Sequence, residues 1–450
     1  MFRPLRTNLF RLALNWRNTR PQGKDPVNDD EKRYAAKGYI ANYRKGLTTR
    51  DGLVDPREYQ AFLQALSSGN YSGLKARGLT DPLGADYYDT AGPEASCFSI
   101  GRGAPSFSSS ELAGDMLQLY GLSLVRDVPF ADFASSPLFL RVAALLSTEP
   151  SKLFRIEGGN FVSQLLSFTP MKTLKKRDYL LTHSEYDQVH SGLAVIPAPA
   201  EIYEQDKRLP ATFRDLAAYT HYDYHSQPYH EACLWLLANH RPALLNPYKD
   251  RAYKGFLAFN TPFVLDLINR AATTALRAAW YHKWRVHRQL RPEEFGYEVD
   301  RLYSGRVTRY EGAPAPELFA SELLTLVQAK QGNVLLSSAF PEGCPTHPAF
   351  PAGHSTIAGA CATIMKGLFR EDYELAGSRL GSEINKLAHN IAMGRCAAGV
   401  HFQSDNEAGL LLGEKLGLTL LAEARQGLRT GVGKEFRFAV KRFDGRVVEV

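Results

Sequence analysis

Residues 347–366 read HPAFPAGHSTIAGACATIMK, a proline-rich turn that runs without a break into a helix of small residues over about 353–368. A helix start leaves backbone N–H groups without partners, and Gly353 lets the chain approach a ligand closely, so the junction is an anion cradle. His354 at that spot can donate a proton to an anion's outer oxygen or take one from it. Ala352 stands just before the cradle. A proline turn before a helix is common, so the reading rests on what the neighbouring segments add.

The segment EINKLAHNIAMGRCAAGVHFQSD (383–405) predicts a helix over about 382–398 that stops near Gly399. A second helix is expected from Ser404, with Glu407 three positions on completing a capping box. His401 falls in the tight connection. Asp405, four residues later, can accept one imidazole N–H and so leave the other nitrogen free for a phosphorus or metal centre. Arg395 adds a planar fork of donors suited to an oxyanion.

Upstream, KWRVHRQLRPE (283–293) places Lys283, His287 and Arg291 four apart, on one side of a helix expected from Pro262, behind Thr261 as cap, to about residue 289. Taken alone, that segment reads equally as a solvated basic face. Joined to the other two it supplies three cations around one small anion, one His to bond its central atom and one His opposite.

The rest of the chain fits a large helical enzyme. Its 450 residues, 44% hydrophobic and 22% charged, suit a globule of two helical groups. Up to residue 109 turn signals such as Asp51-Gly52 and Asp81-Pro82 separate short pieces. One helix is clear there, after Asp55-Pro56, with Tyr59, Phe62, Leu63 and Leu66 as its stripe. Helices are also expected from Ser110, over 138–146 and over 213–239, the last with a break at Pro228, and strands flanking Asp444-Gly445 predict a terminal β-hairpin. The organisation expected is a loop-rich region (1–109), a first helical bundle (110–255), a second carrying the site (256–430) and the hairpin (431–450).

A net charge of +7 without strong clustering points to no nucleic-acid partner. Arg3, Arg6, Arg11, Arg17 and Arg20 form at most a short basic arm. The 10–16 region is too short for a convincing secretory signal, and no run approaches the ~20 apolar residues of a membrane span, so a soluble protein is expected, cytoplasmic first, with the periplasm or secretion as the alternatives. Five cysteines without CxxC spacing read as free buried thiols. His221, Asp223 and His225 include a His pair four apart, but no third ligand completes a metal site, and packed imidazoles are the preferred reading.

The three segments resemble the signature shared by vanadium haloperoxidases and type 2 phosphatidic acid phosphatases. The likeness is greatest to the bromoperoxidases of red algae and cyanobacteria, through the phrases above, LLLGE (410–414) and weaker matches around residues 111–130 and 161–166. The resemblance implies an all-α fold of two helical bundles and a vanadate cofactor bonded by His401. It implies that Lys283, Arg291, Arg395 and the Gly353 N–H hold the oxygens, with His354 as acid-base group. Hydrogen peroxide taken up at vanadium and polarised by Lys283 would oxidise halide, and hypohalous acid would halogenate small organic acceptors. His347 matches a second histidine of that branch, and His282 stands where the family tunes halide choice. Ala352 replaces the usual Ser, which removes a donor worth about 0.5–1.5 kcal/mol and implies weaker vanadate retention. A homo-oligomer, dimer or dodecamer, is also implied. Two rival readings are an acid phosphatase with His401 as phosphohistidine nucleophile and a non-catalytic helical scaffold.

Overall fold

The computed structural model describes residues 9, 12–13, 19–35, 39–47, 53–89, 92–148, 161–166, 168, 170–193, 197–221, 224–249, 252–432 and 435–450. Arg3, Arg6, Arg11 and Arg17 of the basic arm, the 51–52 turn and Asp223 lie outside them.

Helices dominate, and their ends follow local chemistry. Helix α1 (Pro56–Ser68) begins where the Asp55 carboxylate caps the Arg57 N–H, and it buries Tyr59, Phe62 and Leu66. Helix α2 (Ser110–Val125) is capped by Ser109, and α3 (Pro137–Thr148) follows it. The helix expected over 213–239 is two: α4 (Phe213–Tyr219) and α5 (Gln227–Asn239). The Thr220 hydroxyl turns back onto the carbonyls of Leu216 and Ala217 at the end of α4, and Pro228 starts α5 rather than breaking a longer helix.

Helix α6 (Thr261–Tyr281) is capped by Asn260, not Thr261, because the Asn260 side chain takes the Thr261 N–H. It ends in a widened π turn over His282–His287, and Arg288 then adopts a left-handed conformation with φ 44°. Arg291 is therefore not on that helix; it is the extended N-cap of α7 (Pro292–Tyr303). Helix α8 (Gly353–Leu368) buries every residue except His354. Helix α9 (Leu380–Ala398) stops at left-handed Gly399. Helix α10 (Gln403–Val432), about 45 Å long, begins one residue before the expected Ser404. Its capping also differs: Asp405 takes the Phe402 N–H, while Glu407 reaches Gln403.

Among the described residues strands occur only in two-stranded antiparallel pairs: β1 (Met171–Leu174) with β2 (Tyr203–Arg208), β3 (Glu374–Leu375) with β4 (Ser378–Arg379), and the terminal hairpin β5 (Ala439–Lys441) with β6 (Val447–Glu449). One buried apolar cluster takes residues from α2, α5, α6, α8, α9 and α10. At its centre α8 and α10 approach to backbone contact. A methyl at Gly413 would collide with the Thr356 carbonyl, and one at Gly409 would sit 2.7 Å from the Ala352 carbonyl. With the Ala352 N–H on the Asp405 carbonyl at 2.9 Å, this contact holds the start of α8 against the start of α10. Arg126, just past α2, donates to the carbonyls of Ala397 and Ser337 and so fixes the end of α9. No helix among the described residues is long and apolar enough to cross a membrane.

Candidate oxyanion site

The starts of α8 and α10, the end of α9 and the π turn meet at one end of a cavity of about 690 Å³, whose walls include His347, Gly353, His354, Arg395 and His401. Lys283 and Arg291 stand buried just behind that wall. Arg291 is the hub. Its Nε donates to the His347 carbonyl at 2.6 Å and its Nη1 to the Val400 carbonyl at 2.7 Å. The same Nη1 faces His401 Nε2 at 3.1 Å, and Nη2 faces His347 Nδ1 at 2.9 Å. A guanidinium only donates, so His401 Nε2 presents a lone pair, whereas His347 Nδ1 also meets the Pro348 carbonyl at 3.2 Å.

That assigns the His401 tautomer. With Nε2 accepting, Nδ1 carries the hydrogen and donates to Asp405 Oδ2 at 2.9 Å, as the four-residue spacing predicts. Burial, then the charges of Arg291, Lys283 and Arg395, hold the His401 pKa well below the usual imidazole value, which favours the neutral ring. His347 and His354 are depressed in the same direction, by burial first and then by neighbouring cations. His354 Nε2 has no hydrogen-bond partner among the described residues.

Lys283 Nζ donates to the carbonyls of Pro348 and Ala349, both at 2.7 Å, which leaves one of its three N–H directions unspent. Arg395 donates through Nη1 to the Thr220 carbonyl at 2.7 Å and lies over the Phe340 ring. Ala352 is the N-cap of α8 and provides no side-chain cap, so the first N–H groups of that helix face the cavity uncapped. Burial lowers the Lys283 pKa, reinforced by Arg291 and opposed by Asp405; burial raises Asp405 to about 7. Three buried cations thus gather around one carboxylate. Such an excess, with uncapped helix amides and an imidazole lone pair, is chemistry suited to an oxyanion whose central atom accepts that lone pair.

Other expected residues are placed differently. His282 lies outside the cavity: its Nε2 donates to the Phe98 carbonyl at 2.9 Å and its Nδ1 faces Asp25. His287 also turns to Asp25 instead of sharing a face with Lys283, because the π turn changes the angular spacing. Nothing in that placement supports a direct contact of His282 with halide. His221 and His225, read from the sequence as packed imidazoles, both line the cavity, with the His225 ring 6.0 Å from that of His354. His221 is held between Tyr203 and Glu342. Trp280 drew no attention in the sequence and forms the wall against which His347 packs, at 4.6 Å between rings. Its position one turn before Lys283 was the available signal. The five cysteines are free and buried, as expected.

Comparison with known proteins gives the family and the fold. A family model for the second helical-bundle domain of VCPO matches residues 264–429. The chain is 30% identical over 504 aligned residues to a vanadium-dependent bromoperoxidase of Ascophyllum nodosum, covering 94% of this chain and 88% of the relative. It is 25% identical over 577 aligned residues to that of Corallina officinalis, covering 97% and 93%. The homohexameric structure of the second vanadate-dependent bromoperoxidase from Ascophyllum nodosum superposes with a TM-score of 0.87 at 22% identity, covering all of this chain and 90% of that one, which establishes the shared fold. The chain belongs to the family of vanadium-dependent bromoperoxidases.

Proposed function

We infer that this protein is a vanadate-dependent haloperoxidase that oxidises bromide or iodide with hydrogen peroxide to hypohalous acid, which halogenates small organic acceptors. The observation that carries the reading is the gathering of Lys283, Arg291 and Arg395 around His401, whose Nε2 faces Arg291 as an acceptor. Bound vanadate supplies Lewis-acid activation of peroxide without change of oxidation state.

The chain's own groups do the rest. His401 offers Nε2 as the anchoring lone pair, and Asp405 holds its tautomer. Arg291, Arg395, the Lys283 side chain and the Gly353 N–H would hold the oxygens of the oxyanion and balance its negative charge. His354, neutral and with Nε2 unengaged, takes a proton at that atom and returns it. His347 orients Arg291 and, with Trp280, borders the space a halide would cross, which makes it the specificity candidate. We propose a homo-oligomer, in keeping with the homohexameric relative, with a dimer as its repeating unit and a dodecamer as the larger alternative.

The test adds orthovanadate to purified apoprotein and follows peroxide-driven bromination, with phosphomonoester hydrolysis measured beside it without vanadate. Bromination that saturates with vanadate, with little hydrolysis, is expected. Hydrolysis through a phosphorylated His401 without bromination would favour the phosphatase reading; inactivity in both assays would favour the scaffold.

A further inference from the structure

Behind Lys283, on the side away from the cavity, Asp25, His282 and His287 bring one carboxylate and two imidazoles together, with all ligand atoms within 4.8 Å of one another. Their side chains are 0%, 3% and 1% exposed. Asp25 is rigidly held: Oδ1 accepts from the Ser99 hydroxyl at 2.6 Å and the Gly101 N–H at 2.8 Å, and Oδ2 from the Ile100 N–H at 3.1 Å. The remaining lone pair, on Oδ2, faces the imidazoles.

The hydrogen bonds of this cluster leave a gap. The Phe98 carbonyl can only accept, so His282 Nε2 carries a hydrogen, and in the neutral ring Nδ1 is a bare lone pair pointed at Asp25 Oδ2 across 3.2 Å. His287 Nε2 lies 3.9 Å from the same oxygen. Neither nitrogen makes an aligned hydrogen bond among the described residues. The bare His282 Nδ1 against the carboxylate oxygen is repulsive unless a proton or a cation lies between them, and His287 Nε2 faces the same gap. A carbonyl on the far nitrogen of a buried histidine is also the arrangement that orients metal-binding imidazoles.

We propose that Asp25, His282 and His287 form a second metal site, for a borderline divalent transition-metal ion such as Zn2+, with water as fourth ligand. Two nitrogens and one oxygen suit such an ion, whose bonds of about 2.0–2.1 Å place tetrahedral ligand atoms roughly 3.3 Å apart, close to the His282–Asp25 separation. Lys415, donating to the carbonyls of Ser99 and Ile100 at 2.8 and 3.0 Å, adds an opposing positive charge that Asp25 offsets. The ion would pin the segment around residue 25 to the π turn on both sides of Lys283, and so hold the element that carries that lysine.

The test uses the full-length protein, stripped of metal by a chelator and checked by thermal melting to remain folded. Zn2+ content after re-addition and dialysis, and visible absorption with Co2+, are measured for wild type, His401→Ala, His287→Gln and Asp25→Asn. One bound ion per chain with four-coordinate Co2+ bands is expected in wild type and in His401→Ala, which removes the competing imidazole. His287→Gln is expected to weaken binding at least about tenfold and abolish the bands, with the melt showing that the fold persists. No uptake by folded wild type, or uptake unchanged in both His287→Gln and Asp25→Asn, would overturn the proposal and leave a charge-paired imidazolium in its place.

Discussion

His401 illustrates how much of the site's chemistry is set by partners rather than by the residue itself. Asp405 takes its Nδ1–H, Arg291 faces its Nε2, and three cations keep it neutral. Asp405→Asn keeps the size of the partner but replaces an acceptor-only group with one that also donates. Vanadate affinity, read by equilibrium dialysis, is expected to fall about 10–100-fold, and affinity within a factor of two of wild type would mean that the tautomer is fixed elsewhere. Ala352 is the complementary case. As the uncapped N-cap of α8 beside Gly353, it lies where a Ser hydroxyl can donate toward the oxyanion, so Ala352→Ser is expected to tighten vanadate up to about tenfold. Unchanged affinity would show that the hydroxyl spends itself on the helix amides. At this scale the sequence was informative: His401, Asp405, Arg395, Gly353 and His354 meet where their spacing put them. His287 did not, because a four-residue spacing takes α geometry for granted and a π turn breaks it, and His282, expected there from the resemblance alone, faces Asp25 instead.

Helix identity was legible wherever a stop or start had a local cause, as at Asn260-Thr261-Pro262 and Gly399. The interruption between α4 and α5 was legible only as a break at Pro228; the end of α4 was not, because residues 220–226 contain no glycine or proline and the Thr220 hydroxyl turns back onto the last carbonyls of the helix. Nor does periodicity reveal how close two helices lie. Gly359, Gly409 and Gly413 read as small residues, yet they allow α8 and α10 to touch through backbone, and the two helix starts that bracket the site depend on that contact. Gly413→Ala is therefore expected to destabilise the fold by about 1–3 kcal/mol through overpacking and to weaken vanadate binding as the helices separate. Chemical denaturation together with vanadate titration measures both; a stability change below about 0.5 kcal/mol would show that the helices can part without cost.

For the molecule as a whole, burial of titratable groups couples stability to pH. Asp115 on α2 accepts the Ser404 N–H at the start of α10 at 3.2 Å, and burial raises its pKa to about 7 against those hydrogen bonds. The native state then holds a proton that the unfolded chain releases near pH 3.8, so this group's contribution falls as pH rises from about 4 to 7. Asp115→Asn removes that slope, and its stability relative to wild type is expected to be higher at about pH 8 than at about pH 5 in urea unfolding. An equal difference at both values would mean that Asp115 titrates normally. Vanadate acts on the same equilibrium from the other side. A ligand that binds only the folded state adds about 2.7 kcal/mol at a hundred times its Kd, so the melting temperature is expected to climb with orthovanadate, and a melt indifferent to it would mean the buried cations hold no such anion.

The central claim is that one oxyanion is anchored by His401 and surrounded by the three cations, and His401→Ala tests it most directly. The substitution leaves Lys283, Arg291 and Arg395 in place and removes only the lone pair. Vanadate-dependent bromination by hydrogen peroxide, measured over a vanadate series on a variant shown to be folded, is expected to drop to near background at every concentration. Full vanadate-dependent bromination by the variant would contradict the account, because vanadium would then be held somewhere else in the protein.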